Sequence, residues 1–354
     1  MNYEFDNFGF PKKKIKLNSP KILYCSKIIL FPHFFFSKKK IYYCLDLNKY
    51  KTLDSWHIDE TLSNFSLKLF FYKKKSKYLY KKYFYILLRY LTKLFIFKTK
   101  SFKKNHLCIF GPHVKSYSHQ LIDFITRLIY VKYNSNLKDK IIFVDYNLKK
   151  ILTSEVFAFI FKNLKIKYYN SNQITLMKNV NYLTHIENRF TNKELNKTIC
   201  LLNKDCKEFP WKNIKKYEDY KYVLVSRNKA KNRNLVNENI LFERLQDFGF
   251  KRIFFEDMTY HDQINVSLNA KILIGYHGAG MVNLLFMNMN SFVIEIFHKS
   301  YSHPLHKIFG KSLKIKYKKF ICNFNFSNYD GKCDVNEILN YVKKITLAGP
   351  LITT

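Results

Sequence analysis

The segment GYHGAG, residues 275–280, places three glycines and a histidine between two apolar runs. Glycine has no Cβ, so the backbone N–H groups of such a turn can approach a ligand closely, and the first turn of a following helix attracts anions. The imidazole of His277 can donate to a phosphate oxygen. We therefore predict a phosphate site formed by His277, Gly278, Ala279 and Gly280. A ligand-free turn, with a histidine that caps local backbone, is the alternative.

The basic loop RNKAKNRN, residues 227–234, is a second candidate and contains Arg227 and Arg233. Only seven of the chain's 62 basic residues are arginine, so two of them within this loop are hard to attribute to a general lysine excess. A guanidinium group offers a planar fork of donors that matches phosphate oxygens. The loop indicates a second wall of the anion site, or alternatively a solvated basic loop.

A third candidate, Glu295, is the single acid in the apolar run SFVIEIF, residues 291–297. A carboxylate buried in a strand is unfavourable unless it has a partner. In nucleotide-binding folds an acid near a strand end commonly hydrogen-bonds a ribose. Glu295 is therefore expected to contact a ribose, and a glutamate paired inside the core is the equal alternative.

The fourth candidate lies far from these residues in the sequence, where His119, Asp123 and Arg127 recur at intervals of four. On a helix this spacing places three side chains on one face, so the carboxylate can orient the imidazole and the guanidinium can hold the carboxylate. A histidine that titrates near ~6.5 suits a general base for a hydroxyl group. We predict His119 as the base, with Asp123 as second choice and Arg127 in support. An exposed ion pair beside an idle histidine fits the spacing equally well.

Alternating strand and helix patterns position these residues. Strands are predicted over 106–110, 140–145, 222–226, 251–256, 271–275, 291–297 and 312–317, and helices over 119–131, 151–164, 238–248, 261–270, 280–287, 303–310 and 337–349. Asn237 is expected to cap the helix over 238–248, and Gly249 to end it. Strands that alternate with helices of about ten residues indicate parallel βαβ units. The pattern predicts a Rossmann-like domain over roughly 216–320.

Composition narrows the classes of protein. A length of 354 residues favours two domains, and a hydrophobic share of 47% supports large cores. The net charge of +36 attracts anionic partners such as membrane surfaces and polyanionic glycans, whereas the shortage of arginine argues against specific nucleic-acid recognition. Seven cysteines without a CxxC pair fit free thiols in a reducing compartment.

The sequence also lacks several familiar signals. The first residues, MNYEFDNFGFPKKK, have no apolar signal-peptide core, and no apolar stretch reaches the ~18 residues of a membrane span. The stretch FYILLRYLTKLFIF (84–97) is interrupted by Arg89 and Lys93 and is interpreted as a buried helix. These patterns predict a cytoplasmic protein, at most peripheral to a membrane.

Metal and phosphate motifs are missing as well. There is no Asp-x-Asp at a strand end, no P-loop and no H-E-x-x-H, so no metal site is predicted. The chemistry that remains is transfer from a phosphorylated donor held by arginines and a helix terminus.

Residues 223–297 resemble glycosyltransferase family 61, which includes plant xylan xylosyl- and arabinosyltransferases and protein O-GlcNAc transferases of the extracellular type. The likeness rests on spaced motifs in the family's order: Ser226, Arg227, Arg233, Asn237, Glu238, Gly249, Phe250, Glu256, Gln263, His277 to Gly280, Asn283 and Glu295. The segment SYSHQLIDFITRL (116–128) is similar to the family's N-terminal signature. The resemblance extends over roughly residues 106–320.

The resemblance implies an α/β protein of the GT-B fold, with two Rossmann-like domains facing each other across a cleft. The acceptor-side domain would span 106–215 and the nucleotide-sugar domain 216–320. Residues 1–105 are poorly assigned and are expected to join the first domain. In the segment 321–354 a helix is expected to cross back to the first domain.

The resemblance also implies an inverting glycosyltransferase. The donor would be a nucleotide sugar, expected to be UDP-linked, and the acceptor a hydroxyl of a glycan, glycolipid or protein, with no obligatory metal or other cofactor. Asn283 joins the predicted donor-binding residues, and Glu256 and Gln263 are predicted in support. The alternative is a non-catalytic protein that binds glycans or polyanions on a degenerate transferase fold.

Overall fold

The structure is a computed structural model of the chain. It describes residues 22–30, 34–37, 40–43, 98–101, 105–109, 114–169, 175–183, 193–211, 214–300, 304–326 and 329–347. These residues form two compact units. The first contains those up to Leu152 together with Phe161–Leu195, and the second contains Thr153–Ile160 and those from Asn196 onward.

The described part of the first unit is built on an eight-stranded mixed sheet in the order β3-β2-β1-β8-β5-β6-β7, with β4 also paired to β8. Strands β5 to β8 pair in parallel, whereas β1 to β3 pair antiparallel. The apolar runs of β5 and β6 are almost fully buried, as expected for central parallel strands. The bounds are β1 (Ile22–Leu30), β2 (Phe34–Ser37), β3 (Lys40–Tyr43), β4 (Lys98–Ser101), β5 (His106–Ile109), β6 (Ile141–Asp145), β7 (Lys165–Tyr169) and β8 (Thr175–Leu183).

The helix between β5 and β6 is wound unevenly. It consists of α1 (Tyr117–His119), a π-helical segment (Gln120–Ile125) and α2 (Thr126–Lys132). The predicted apolar face is buried: Leu121, Phe124, Ile125, Leu128 and Ile129. Periodicity thus predicts the helix and its buried face, but not the π-helical winding, which is rare and is found disproportionately at functional sites.

The single helix predicted over 151–164 is wrong. A 3₁₀ helix (Tyr146–Leu148) leads into α3 (Lys149–Leu152), and a separate helix, α4 (Glu155–Ile160), follows. The carbonyl of Ser154 accepts from the N–H of Ala158 at 2.8 Å, so a new helix begins at this position. Serine and threonine compete with helical backbone bonds, which explains the break at Thr153 and Ser154.

The second unit contains a five-stranded sheet in the order β10-β9-β11-β12-β13, and every neighbouring pair is parallel. A short hairpin of β14 and β15 follows it. The parallel βαβ series predicted over 216–320 is therefore present. The bounds are β9 (Tyr222–Val225), β10 (Lys251–Ile253), β11 (Ile272–Tyr276), β12 (Phe292–Phe297), β13 (Lys316–Ile321), β14 (Phe324–Asn325) and β15 (Gly331–Lys332).

Helices connect these strands and cover the sheet. After α5 (Lys193–Lys207) come α6 (Glu238–Gln246), α7 (Tyr260–Asn269), α8 (Leu305–Ser312) and α9 (Val335–Leu347), with 3₁₀ helices at Ile214–Tyr217, Phe255–Asp257 and Ala279–Phe286. The apolar face of α9 packs with α6 into the core of the second unit through Ile338, Leu339 and Val342. The predicted helix over 337–349 thus exists, and its buried face belongs to this core.

Four details differ from the sequence-based expectations. The strand predicted over 251–256 ends at Ile253, the helix predicted over 280–287 is a 3₁₀ helix, and the last strand lies four residues later than predicted. Asn237 occupies the cap position of α6 without a capping bond, because its side chain instead pairs with the backbone N–H and carbonyl of Cys333 at 3.1 and 3.0 Å. Gly249 does end the helix, in the left-handed conformation (φ 80°) that glycine adopts readily.

The stretch 84–97, interpreted above as a buried helix, lies outside the described residues. Among the helices in the described part of the chain, none has the length and apolar character needed to cross a bilayer.

Candidate functional site

The strand order of the second sheet brings two of the predicted segments together. In chain order the strands are arranged 2-1-3-4-5, so β10 lies on one side of β9 and β11 on the other. Connections leave the sheet in opposite directions at such a switch point, and ligands bind there, outside the carboxyl ends of the strands. The loop after β9 carries Arg227, and the turn after β11 carries His277.

The strand register places a third predicted residue at the same edge. Val225, Gly275 and Glu295 are paired across β9, β11 and β12 in one row. Arg227 follows that row by two residues, and His277 does the same on its own strand. The register therefore aligns Arg227, His277 and Glu295 at one edge of the sheet.

The Arg227 side chain packs directly on the glycine turn. A Cβ built at Gly278 would lie 2.0 Å from Nη1 of Arg227, so a side chain at this position would displace the guanidinium from where it packs. The guanidinium donates from Nε to the carbonyl of Arg233 at 2.9 Å and from Nη2 to the carbonyl of Asn232 at 3.1 Å. Burial, followed by the charge of Arg233, lowers the pKa of Arg227. An anion near Arg227 would offset burial and the charge of Arg233, and so stabilise the charged guanidinium.

Arg233 lies close enough to Arg227 and His277 for its charge to affect the pKa of both residues. Its positive charge lowers the pKa of Arg227 and, less than burial does, that of His277. Its backbone is in the left-handed region (φ 59°), which residues with a side chain rarely adopt and which is concentrated at functional sites. The second unit therefore gathers the positive charges of the predicted anion site.

Glu238 fixes the start of the arginine loop, a role that motif reading did not assign. Its carboxylate accepts a short hydrogen bond from the hydroxyl of Ser226 and one from the N–H of Arg227 at 3.2 Å. Burial raises the pKa of Glu238. No capping-box signal marked this residue, because the acid of a capping box lies three residues after the N-cap, whereas Glu238 directly follows Asn237.

Glu295 is fully buried and accepts three hydrogen bonds. Its Oε1 lies 2.6 Å from Nδ1 of His277 and 2.8 Å from Nδ1 of His306, and its Oε2 accepts from the hydroxyl of Tyr317 at 2.6 Å. Burial alone would raise the pKa of Glu295, but His306 and His277 together hold it well below its usual range. The structure thus gives this carboxylate side-chain partners in the core, and contact with a ribose stays a prediction.

Among the described residues, His277, Glu295 and His306 form a cluster that could hold a metal ion. Their possible ligand atoms all lie within 4.8 Å of one another. However, ligands bonded to one zinc ion at 2.0–2.2 Å would be separated by roughly 3 Å or more. The observed separations of 2.6 and 2.8 Å are those of direct hydrogen bonds. In this arrangement the cluster is a hydrogen-bond network.

Gln263 and Asn283 form a chain of hydrogen bonds that ends on the backbone of the His277–Gly280 turn. Gln263 donates to the carbonyl of Phe255 at 2.8 Å, and Asn283 donates to the side chain of Gln263 at 3.2 Å and to the carbonyl of Gly280 at 3.1 Å. Both residues are buried, Asn283 completely. Their described contacts are with the protein, and donor contact by Asn283 stays a prediction.

A small cavity of about 40 Å³ lies between the arginine loop and the turn, and its lining includes Arg227, Glu256, Tyr276 and Gly280. Glu256 is exposed on the 3₁₀ helix after β10. A larger cavity, about 740 Å³, lies at the opposite edge, where the strands begin, and none of the predicted site residues lines it. We favour the smaller one as the site, because ligands of parallel sheets bind at the carboxyl edge.

In the first unit, the expected contact between His119 and Asp123 is present, and the expected contact of Arg127 with the Asp123 carboxylate stays a prediction. Nδ1 of His119 lies 2.6 Å from Oδ2 of Asp123, and the Asp123 side chain is only 4% exposed against 24% for His119. Arg127 is completely buried and donates to the backbone carbonyls of Asp123 at 2.5 Å and Leu183 at 3.0 Å. The carboxylate can therefore orient an accessible imidazole.

Comparison with known families shows what the chain is related to. Residues 117–294, half of the chain, match the family model described as Glycosyltransferase 61. The chain belongs to the glycosyltransferase 61 family. Both the helix of His119 and the whole edge from Arg227 to the middle of β12 fall within the matched residues, so the resemblance noted in the sequence is confirmed.

Individual family members share a shorter segment with the chain. Mouse (Mus musculus) Protein O-linked-mannose beta-1,4-N-acetylglucosaminyltransferase 2 is 35% identical over 79 residues, which are 22% of this chain and 13% of the mouse protein. EGF domain-specific O-linked N-acetylglucosamine transferase of Drosophila melanogaster is 30% identical over 73 residues, 20% of this chain and 14% of the fly protein. The chain thus aligns with about one seventh of the length of these relatives.

Proposed function

We propose that this glycosyltransferase 61 family protein moves a sugar from a nucleotide-sugar donor, UDP-linked, to a hydroxyl group, with inversion at the sugar. We further propose the GT-B arrangement, with an acceptor-side domain over 106–215 and a donor domain over 216–320. The observation that carries the proposal is the packing of the Arg227 guanidinium on Gly278 at the switch point of the second sheet.

The donor diphosphate binds against this edge in our proposal. Arg227 and Arg233 supply positive charge, and the His277–Gly280 turn supplies backbone N–H groups. Charged hydrogen bonds of this kind are worth about 1.5–3 kcal/mol each. When the bond to the sugar breaks, negative charge grows on the leaving diphosphate, and fixed cations and dipoles stabilise it there without a metal.

Glu295 acts on the donor through His277 in this proposal, because the buried carboxylate is bonded to that imidazole. Asn283 and Gln263 act similarly, by fixing the backbone of the turn. His119, oriented by Asp123, is the base that removes the proton from the acceptor hydroxyl.

The acceptor is a hydroxyl of a protein or glycan. The names of the relatives describe transfer of N-acetylglucosamine to protein-linked mannose and to EGF domains. We carry over only the acceptor class, because the aligned segment covers a small part of those proteins.

A screen of nucleotide sugars for thermal stabilisation tests the proposal, followed by a measurement of nucleotide release without acceptor. A donor present at 100 times its Kd should stabilise the fold by about 2.7 kcal/mol. We expect a UDP-sugar to raise the melting temperature and to be hydrolysed slowly to UDP. A protein stabilised by polyanionic glycans but by no nucleotide sugar, and releasing no UDP, would instead be the non-catalytic binder.

A further inference from the structure

Three elements of the second unit converge on one buried carboxylate. His277 comes from the turn after β11, His306 from the first turn of α8, and Tyr317 from β13. All three reach Glu295, at 2.6, 2.8 and 2.6 Å. His306 and Tyr317 lie outside the residues matched to the family model, which ends at residue 294.

The proton positions follow from the geometry. Because its pKa is held well below its usual range, Glu295 is ionised and can only accept hydrogen bonds. Both imidazoles therefore carry a proton on Nδ1 and donate it to the same oxygen. The tautomer of His277 is fixed by Glu295.

The orientation of His277 is restrained in two independent ways. Its ring stacks on Phe297 with centroids 4.6 Å apart and planes inclined by 21°, which sets the plane of the ring. Stacking alone permits a half-turn of the ring about Cβ–Cγ, which keeps the plane but exchanges Nδ1 with Cδ2, and the bond from Nδ1 to Glu295 removes this freedom. A shift of Glu295 would therefore turn the imidazole.

His306 and Tyr317 are the other two restraints on Glu295. His306 is buried and shares Oε1 with His277, whereas Tyr317 holds Oε2. Because His277 and His306 donate to Oε1 and Tyr317 donates to Oε2, the carboxylate has a single orientation that satisfies all three donors. Loss of either donor leaves part of a buried charge without its hydrogen bond, which favours rotation of the carboxylate.

We propose that His306 and Tyr317 are positioning residues that hold Glu295 and thereby fix the tautomer and orientation of the His277 imidazole in the donor site. The inference rests on the proposed function, since His277 has a role only if an anionic donor binds at the turn. Neither residue touches the donor itself.

Matched variants separate hydrogen bonding from packing. His306→Asn retains a donor near the position of Nδ1, whereas His306→Leu fills space without a donor. Tyr317→Phe removes only the hydroxyl and serves as the second test if His306→Leu does not fold. Side-chain ¹⁵N–¹H NMR reports the His277 tautomer, with its signal identified by comparison with His277→Gln, and calorimetry with UDP reports the site.

For the wild type we expect a single His277 tautomer protonated on Nδ1. In His306→Leu and Tyr317→Phe this signal should shift or broaden, and UDP affinity should fall about tenfold. His306→Asn should restore the signal and keep affinity within about threefold of the wild type.

An unchanged His277 signal in folded His306→Leu or Tyr317→Phe would overturn the inference, as would equal damage in His306→Asn and His306→Leu. Failure of the proposed function is distinguishable: the wild type would then show the fixed tautomer but bind no UDP.

Discussion

In our proposal the carboxyl edge of the second sheet, here called the donor edge, binds the nucleotide sugar, and the helix of His119 in the first unit supplies the base. The two regions are held in very different ways. At the donor edge, strand register aligns Arg227 with His277, the Arg227 guanidinium packs on Gly278, and a buried carboxylate that accepts three hydrogen bonds fixes His277. The His119 imidazole is a quarter exposed and lies 2.6 Å from the carboxylate of Asp123, which belongs to the π-helical segment. An anion site needs fixed charges, whereas a base must meet a mobile acceptor and take up its proton.

The two regions should therefore respond differently to mutation, and the largest effect is expected in the first unit. His119→Ala should lower the turnover rate by about 10²–10⁴, because it removes the general base, while leaving UDP affinity unchanged. The comparison requires initial rates at saturating donor and acceptor beside a UDP titration. Lys115→Ala, an exposed neighbour on the same segment, is the control. Turnover within a few-fold of the wild type would remove His119 from the base role.

Arg227→Ala should mainly weaken the binding of UDP. The loss of a charged hydrogen bond to the diphosphate, about 1.5–3 kcal/mol, corresponds to roughly 10- to 150-fold weaker UDP binding. Isothermal titration of UDP measures it. Arg244→Ala removes the same charge from an exposed position on α6 and should bind UDP as the wild type does. Equal affinities of all three proteins would exclude Arg227 from the donor site.

Gly278→Ala tests the contact between the two segments of the donor edge. The added Cβ would meet the mobile end of the Arg227 side chain, so the fold should persist while the guanidinium is displaced. We expect UDP affinity to fall about tenfold, and the double variant with Arg227→Ala to be no weaker than Arg227→Ala alone. Additive losses, measured in the same titration, would show that the glycine and the arginine act separately.

The smallest expected effect is on how the free energy of unfolding depends on pH, and it concerns Glu295. The folded-state pKa of Glu295 is depressed from an ordinary 4.5, so its contribution to stability is present above that value and lost as pH falls below it. Burial also depresses the pKa of His277 from 6.5, which destabilises the fold as pH falls below 6.5. The change in unfolding free energy caused by Glu295→Gln should therefore shrink below pH 4.5.

Urea unfolding at several pH values measures that change in free energy. Glu243→Gln, an exposed acid on α6, should stay within about 0.5 kcal/mol of the wild type throughout. A constant difference between Glu295→Gln and the wild type from pH 7 to pH 3 would mean that folding does not shift the pKa of Glu295, contrary to the account.

Sequence patterns indicated which segments meet at the carboxyl edge of the second sheet, because those segments are local. Apolar runs of four to seven residues indicated the parallel strands, and the loops after two of them carried the arginines and the glycine turn. Since carboxyl ends of parallel strands share an edge, Arg227 and His277 could be expected together. The same reasoning predicted the bond between His119 and Asp123, which depends only on helical spacing.

Partners that depend on tertiary packing were not predictable. His306 and Tyr317 reach Glu295 from 11 and 22 residues away along the chain, and nothing in their own segments indicates a buried carboxylate. Asn237 has the residue type of a helix cap, but its amide bonds to Cys333, 96 residues later. The π-helical turn likewise results from how a helix packs, which periodicity does not reveal.

A crystal structure with UDP bound tests the central claim most directly. The account predicts diphosphate oxygens within hydrogen-bonding distance of the Arg227 guanidinium and the backbone N–H groups of the His277–Gly280 turn. UDP bound instead in the 740 Å³ cavity at the opposite edge of the sheet, with the turn and Arg227 free of ligand, would contradict it.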